Sequence, residues 1–397
     1  VELSRRVQAI KPSPTLAVTA RAATLKASGR DIIGLGAGEP DFDTPQHIKD
    51  AAIAAINAGF TKYTAVDGTP SLKAAVIAKF KRDNGLDYSP KQILVSCGGK
   101  QSFFNLAQAV INAGDEVIIP APYWVSYPDI VILADGKPVI VEAGIEQGFK
   151  ITPVQLEAAI TPKTRLFVIN SPSNPTGAIY TGAELAALGE VLRRHPRVLI
   201  ASDDMYEHIR LNDVPFVNIL NVCPDLYDRT LVLNGVSKAY SMTGWRIGYA
   251  AGPEAILRAM TNVQSQSTSN AASISQMAAE AALNGDQGCI TPMLDAFKTR
   301  HRYVVDALNA IPGFHCVDSG GAFYAFPDVR PAIMTLLARD IIEEPTDIAF
   351  SEYLLESADV AVVPGSAFGA EGHIRLSFAT SQANLEKAIA RITAALA

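Results

Sequence analysis

The chain is poor in the features that mark extracellular, metal-bound or nucleic-acid-binding proteins. Its four cysteines, Cys97, Cys223, Cys289 and Cys316, stand far apart with no Cys-x-x-Cys pair, which excludes a disulfide framework and a cysteine-based zinc site. Positive charge is not in excess: 34 Lys and Arg face 40 Asp and Glu, a net charge of −6. Nothing in that balance attracts nucleic acid or an anionic membrane. No uncharged apolar run reaches spanning length, and the opening Val-Glu-Leu-Ser-Arg-Arg lacks the apolar centre of a secretory leader. Internal repeats and low-complexity linkers are missing as well. These absences predict a soluble, cytoplasmic protein with reduced thiols, whose partners are small molecules rather than nucleic acid or membrane.

What is present is enough apolar material for a large core. Of 397 residues, 48% are apolar and only 19% charged, a length that suits about two to three domains. Short apolar runs alternate with amphipathic ones. Strands are expected at Ile93–Ser96, Glu116–Ile119, Pro138–Val141, Arg165–Ile169, Val198–Ala201, Thr230–Leu233 and Ile247–Ala251, with helices at Gln101–Ile111 and Ala183–Leu192. Such alternation predicts an α/β domain around a largely parallel sheet, in which ligands bind beyond the carboxyl ends of the strands. Two earlier helices open at Thr44-Pro45 and Thr69-Pro70 and close at Gly59 and Gly85. A longer helix around Asp295–Ile311 leads to a second domain with strands near Val360–Val363 and Ile374–Phe378. The run Gly34-x-Gly36-x-Gly38 is no dinucleotide fingerprint, because Glu39-Pro40 follow it and no helix opens there.

The candidate chemistry lies just after these strands. Lys238 sits between two of them in Asn234-Gly-Val-Ser-Lys238-Ala-Tyr-Ser-Met-Thr-Gly-Trp-Arg246-Ile-Gly-Tyr249. Small residues there leave room for a bound group, and Arg246 is a fixed cation that would help lower the lysine's pKa. Gly98-Gly99-Lys100 opens a helix whose free N–H groups suit an anion. Trp124 follows another strand and reads equally as a core aromatic. Asp203, at the end of a strand, reads as a helix cap or as an acid; Asp204 beside it reads as structural. Arg375, in Ile-Arg375-Leu-Ser, has the planar fork that takes a carboxylate bidentately.

Ser-Lys238-Ala-Tyr-Ser-Met-Thr-Gly-Trp-Arg246-Ile-Gly-Tyr resembles the lysine signature of class I aminotransferases, which work through pyridoxal 5′-phosphate. The resemblance extends to Gly38-Glu-Pro-Asp-Phe, Asn170-Ser-Pro-Ser-Asn174-Pro-Thr-Gly and Ile-Arg375-Leu-Ser, in family order over nearly the whole chain, and is strongest to the bacterial aspartate aminotransferase subgroup. It implies the fold type I architecture of pyridoxal phosphate transferases: a large domain, residues 46–295, with a mainly parallel seven-stranded sheet, and a discontinuous small α+β domain from residues 1–45 and 296–397. It implies that Lys238 binds the cofactor covalently and moves the proton. Gly99, the Lys100 backbone, Arg246 and Ser237 would hold its phosphate, with Ser237 standing in where the animal-type enzymes carry a serine at the position of Gly235. Trp124 would stack on the ring, Asp203 pair with the ring nitrogen, and Asn174 and Tyr206 bond the ring oxygen. Arg375 would clamp the substrate α-carboxylate, Gly38, Trp124 and Asn174 touch substrate, and the Lys100 side chain take a second carboxylate, with Lys11 as a further cation. Tyr63 would reach the phosphate of a neighbouring subunit in a homodimer. The implied activity is amino transfer between L-amino acids and 2-oxo acids, aspartate and glutamate favoured; prephenate or aromatic oxo acids are the alternative, and a β-lyase a more distant one.

Overall fold

The computed structural model describes residues 1–12 and 14–397. Seven strands form the main sheet: β2 (Ile93–Ser96), β3 (Glu116–Ala121), β4 (Lys137–Glu142), β5 (Thr164–Asn170), β6 (Leu199–Asp203), β7 (Thr230–Gly235) and β8 (Gly248–Ala251), which follow a short β1 (Ile33–Gly34). Their spatial order is β2-β8-β7-β6-β5-β3-β4, and β8 alone runs against its neighbours. The near-continuous apolar runs have a direct cause. Successive side chains leave a strand on opposite faces, and here both faces are covered. Thus Val95, Phe167, Ile169, Ile200 and Val232 enter one core, while Leu94, Leu166, Val168, Ala201, Leu231 and Leu233 enter the other. Helices Pro70–Lys79, Gly182–Arg194 and Ser273–Asn284 supply Leu72, Val76, Leu185 and Ala278 to the first; helices Gly99–Val110 and Glu254–Ser265 supply Phe103, Leu106 and Met260 to the second.

Helix ends follow local chemistry. Thr69 accepts from the Leu72 N–H ahead of Pro70, and Thr181 and Glu184 close a reciprocal cap. The helix that opens at Pro70 does not run unbroken to Gly85: past Lys79 it widens into a π-helical turn, Phe80–Asn84.

The sheet's topology gathers the site. Asn170 pairs with Asp203 and Asp203 with Leu233, so β5, β6 and β7 end at one edge. Because β8 is antiparallel, it begins where they finish: Gly248 pairs with both Gly235 and Ser96. Lys238, Arg246 and Gly98–Gly99 are therefore brought to one edge by register alone.

The remaining strands are β9 (Tyr324–Ala325), β10 (Val360–Ala361), β11 (Val363–Pro364) and β12 (Ile374–Ser377). A single strand was expected over Val360–Val363; it is two, since β10 pairs with β1 and β11 with β12, the chain passing between sheets at Val362. The stretch around residues 30–35 joins this C-terminal part, whereas Arg6 pairs with Asp135 and Thr44 Oγ1 donates to the Ser241 carbonyl at 2.7 Å on the large sheet's side. Ser377 N–H donates to Leu35 O at 2.7 Å, and Arg30 pairs with Glu356 and Asp359. The long helix runs Thr291–Asn309. No helix among the described residues is long and apolar enough to cross a membrane.

Candidate active site

A cavity of about 400 Å³ opens where the sheet edge meets the C-terminal strands, and it is lined by Lys238, Asp203, Tyr206, Asn174, Gly99, Arg375 and their neighbours. Lys238 lies three residues past β7. Its Nζ donates to the Gly38 carbonyl at 2.5 Å and stands 5.8 Å from the Tyr206 ring centre. Burial pulls its pKa down to about 8, aided by Arg375 and, less, by Arg246, while Glu39 and Asp203 oppose. Arg246 was expected to be the helping cation; Arg375, invisible as a neighbour in the sequence, outranks it.

The anion corner is built from glycine. Gly98 has φ +87°, and a Cβ there would run into the Arg246 guanidinium, so the backbone can approach that cation only without a side chain. Arg246 Nη1 donates to the Thr243 carbonyl at 2.8 Å and Nη2 to the Cys97 carbonyl at 3.4 Å, which aims it across the start of the helix at Gly99. Ser237 is buried on the same wall. The Lys100 ammonium stands 5.3 Å from the Trp124 ring centre at the mouth, its pKa lowered by partial burial and by Arg246.

Across the floor, Asp203 ends β6 with Oδ2 accepting from the Tyr127 hydroxyl at 2.5 Å and Oδ1 from the Met205 N–H at 3.3 Å. No regular helix follows it, so it caps a turn only. Burial raises its pKa, while Tyr127, Met205 and Lys238 hold it down. Asp204 points away, bonded to Ser202 and Asn218. Tyr206 shares a hydroxyl bond of 2.7 Å with Tyr324. Arg375, 2% exposed, donates to Asn174 Oδ1 at 2.9 Å and to the Gly36 carbonyl at 2.6 Å, with its plane 4.5 Å from the Tyr324 ring centre. Its Nε has no partner in the protein. A buried guanidinium N–H without an acceptor calls for one from a ligand.

Ten of the residues singled out from sequence thus share one cavity: Gly38, Gly99, Lys100, Trp124, Asn174, Asp203, Tyr206, Ser237, Lys238 and Arg246, with Arg375 closing it. Two others lie elsewhere. Tyr63 is 94% exposed beside a second, apolar hollow that Phe60 and Met277 also line. Lys11 is exposed, and only its backbone N–H reaches a side chain, Asp129 Oδ1 at 3.5 Å. Sequence reasoning passed over Tyr127, Tyr324 and Asn170, whose side-chain oxygen accepts from Asn174 N–H at 2.9 Å. Tyr324 lies in the run Ser319-Gly-Gly-Ala-Phe-Tyr-Ala-Phe, and nothing local marks it as the partner of a residue over a hundred positions away.

Four cations (Lys100, Lys238, Arg246, Arg375) against two carboxylates (Glu39, Asp203) line a cavity in a chain of net charge −6. The set suits a ligand with an aldehyde for the amine, a phosphate for the glycine corner and a basic ring nitrogen for Asp203, together with a carboxylate for Arg375.

Comparison with known proteins agrees with this chemistry. The family model for aminotransferase class I and II matches residues 30–392. The aspartate/prephenate aminotransferase of Nitrosomonas europaea is 67% identical over 396 residues, covering 100% of both chains. The aspartate aminotransferase of Geobacillus stearothermophilus is 54% identical, covering 99% of this chain and 98% of its own. Among solved structures, the aspartate aminotransferase of Rhizobium meliloti superposes with a TM-score of 0.94 at 50% identity, covering 100% and 99% of the two chains. That of Thermus thermophilus with maleate gives 0.93 at 44%, with full coverage of both.

Proposed function

This chain belongs to the aminotransferase class I and II family, and from that premise we propose which residues carry its reaction and which substrates it prefers. It is a pyridoxal 5′-phosphate-dependent enzyme of fold type I that moves an amino group between amino acids and 2-oxo acids. The observation that carries the residue assignment is the meeting, in one cavity, of the Lys238 amine at a pKa of about 8 with the unpartnered Nε of buried Arg375.

Gly99 and Lys100 N–H groups, Arg246 and Ser237 would hold the cofactor phosphate. Trp124 would cover the ring, Asp203 pair with its nitrogen, and Asn174 and Tyr206 address its oxygen. When bound, the cofactor supplies a carbonyl for the amine and a ring that draws electrons from the substrate Cα. Lys238 would do the protein's share of the work: its amine, partly unprotonated near physiological pH, would bind the aldehyde and, once free, would take the proton from substrate Cα and hand it to the cofactor's C4′, across the nitrogen. The Gly38 carbonyl, already bonded to Nζ, is a resting place for the freed amine. Arg375 takes the α-carboxylate, which orients Cα toward Lys238.

For specificity, the excess of cations and the position of Lys100 at the mouth favour a second carboxylate, hence aspartate and glutamate with 2-oxoglutarate or oxaloacetate. The maleate complex of the Thermus relative, a dicarboxylate, supports this. Prephenate is the second reading, supported by the cavity's volume and by the name of the Nitrosomonas relative. We assign residues 46–295 to the cofactor domain and 1–45 with 296–397 to the small one. A homodimer in which Tyr63 reaches the neighbouring site is supported by the exposure of Tyr63 next to exposed Ile53, Ile56 and Phe60. Four free thiols support a cytoplasmic location.

The test has two arms. Borohydride reduction of the purified holoprotein followed by peptide mapping should label residue 238 and nothing else. A panel of amino donors with 2-oxoglutarate, run on wild type and Lys100→Ala, should show aspartate turnover falling far more than that of neutral donors; equal losses would reject Lys100 as the specificity residue.

A further inference from the structure

Tyr127 does not line the main cavity, yet it makes the shortest side-chain bond to the acid that does. Its hydroxyl donates to Asp203 Oδ2 at 2.5 Å, and the residue is 1% exposed. We propose that Tyr127 is a positioning residue that holds Asp203 as an oriented carboxylate at the cavity floor, so that the acid meeting the cofactor ring is a Tyr127–Asp203 pair.

The inference rests on the cofactor reading above, but its geometry stands alone. The phenol is packed between two aromatic edges, Phe103 at 4.8 Å and Trp124 at 5.2 Å between ring centres. Its backbone N–H donates to the Trp124 carbonyl at 3.0 Å. Trp124 lies just ahead of helix Ser126–Leu133, and this hydrogen bond ties it to Tyr127 in the helix's first turn, so the stacking wall and the donor to the acid are held three residues apart. The other groups around the carboxylate are the Met205 N–H, the Lys238 ammonium and the Tyr206 phenol; neighbouring Asp204 is turned away onto Ser202 and Asn218. A buried carboxylate tends to take up a proton, and a donor that stays in place helps to keep it charged. Burial does push Asp203 up, and the Tyr127 bond is the largest opposing influence. Tyr127's own pKa lies well above the ordinary tyrosine value, so it remains the donor.

The experiment compares wild type, Tyr127→Phe and Phe103→Leu. Isotope-edited infrared titration of the aspartate carboxylates in cofactor-free protein, with Asp203→Asn identifying the band, reads the acid directly. The dissociation constant of pyridoxal 5′-phosphate is then measured by reconstitution. Loss of the hydroxyl should move the Asp203 midpoint upward and weaken cofactor binding about ten- to a hundredfold, the worth of one hydrogen bond to a charged group. Phe103→Leu loosens the same packing but keeps the hydroxyl, and should leave the midpoint where it was. An unmoved midpoint in Tyr127→Phe, or an equal movement in Phe103→Leu, overturns the proposal. Should borohydride label no residue 238, the cofactor reading fails by itself, and the carboxylate titration still decides on Tyr127.

Discussion

Arg375 and Asn174, 201 positions apart, share a buried hydrogen bond of 2.9 Å that ties β12 of the small sheet to the loop after β5 of the large one. With its other terminal nitrogen on the Gly36 carbonyl, the guanidinium is held from two sides while Nε stays free. Arg375→Lys keeps a charge but loses this fork. The expected loss is about 2–5 kcal/mol of carboxylate recognition, or roughly 30-fold and upward in kcat/KM. Steady-state kinetics with aspartate and 2-oxoglutarate check it; a change confined to a few-fold would remove Arg375 from substrate binding.

The Lys238 amine should titrate near pH 8 in cofactor-free protein. Its reactivity toward an acylating reagent, followed at residue 238 by mass spectrometry, should rise through that pH. Arg375→Met removes the strongest neighbouring cation and thereby stabilises the ammonium, so the midpoint should move up toward the ordinary value of 10.5. Movement downward would contradict the electrostatic account.

If Tyr63 serves the neighbouring site, two defective proteins can repair one another. Tyr63→Ala carries an intact Lys238, and Lys238→Ala carries an intact Tyr63. In a mixed dimer one site regains both, so random mixing should restore roughly a quarter of wild-type turnover. Activity equal to the sum of the separate variants would show that Tyr63 has no role across an interface.

Behind the site, Lys79 and Glu207 form a buried ion pair, with Asn84 and Asn234 bonding the same carboxylate at 2.6 and 2.8 Å. Burial alone would raise the pKa of Glu207; Lys79 and then His208 bring it down from 4.5 to about 2. A depressed carboxylate contributes stability above its unfolded pKa and loses it as pH falls through the folded one. Wild type should therefore lose this contribution between about pH 4.5 and 2. Lys79→Ala strands the charge and should cost about 3–5 kcal/mol at pH 7, a penalty that shrinks in acid. Denaturant melts at pH 7 and pH 3 check both; a penalty independent of pH would mean that packing, not charge, is lost.

The strands near residues 93, 165, 198 and 230 were legible because both faces of the sheet are buried, which writes unbroken apolar runs into the chain. Helix starts were legible for an equally local reason, the side-chain oxygens of Thr69 and Thr181. The division of Val360–Val363 between two sheets was not, since pairing partners leave no trace in a four-residue apolar run. The π-helical turn at Phe80–Asn84, which carries Asn84 toward Glu207, was equally silent.

By itself the amino-acid sequence determined the class of fold, the places where loops leave the strands, and the side chains with the chemistry for a cofactor and a carboxylate. Tertiary structure alone decided which of these meet. Arg375 rather than Arg246 became the main cation acting on Lys238, and Tyr127 and Tyr324 became partners of Asp203 and Tyr206. The physical reason is range: turns, caps and burial patterns act over a few residues and are written locally. Electrostatic and hydrogen-bond partnerships depend on distances in space, which the antiparallel entry of β8 and the return of β12 set only after the chain has folded.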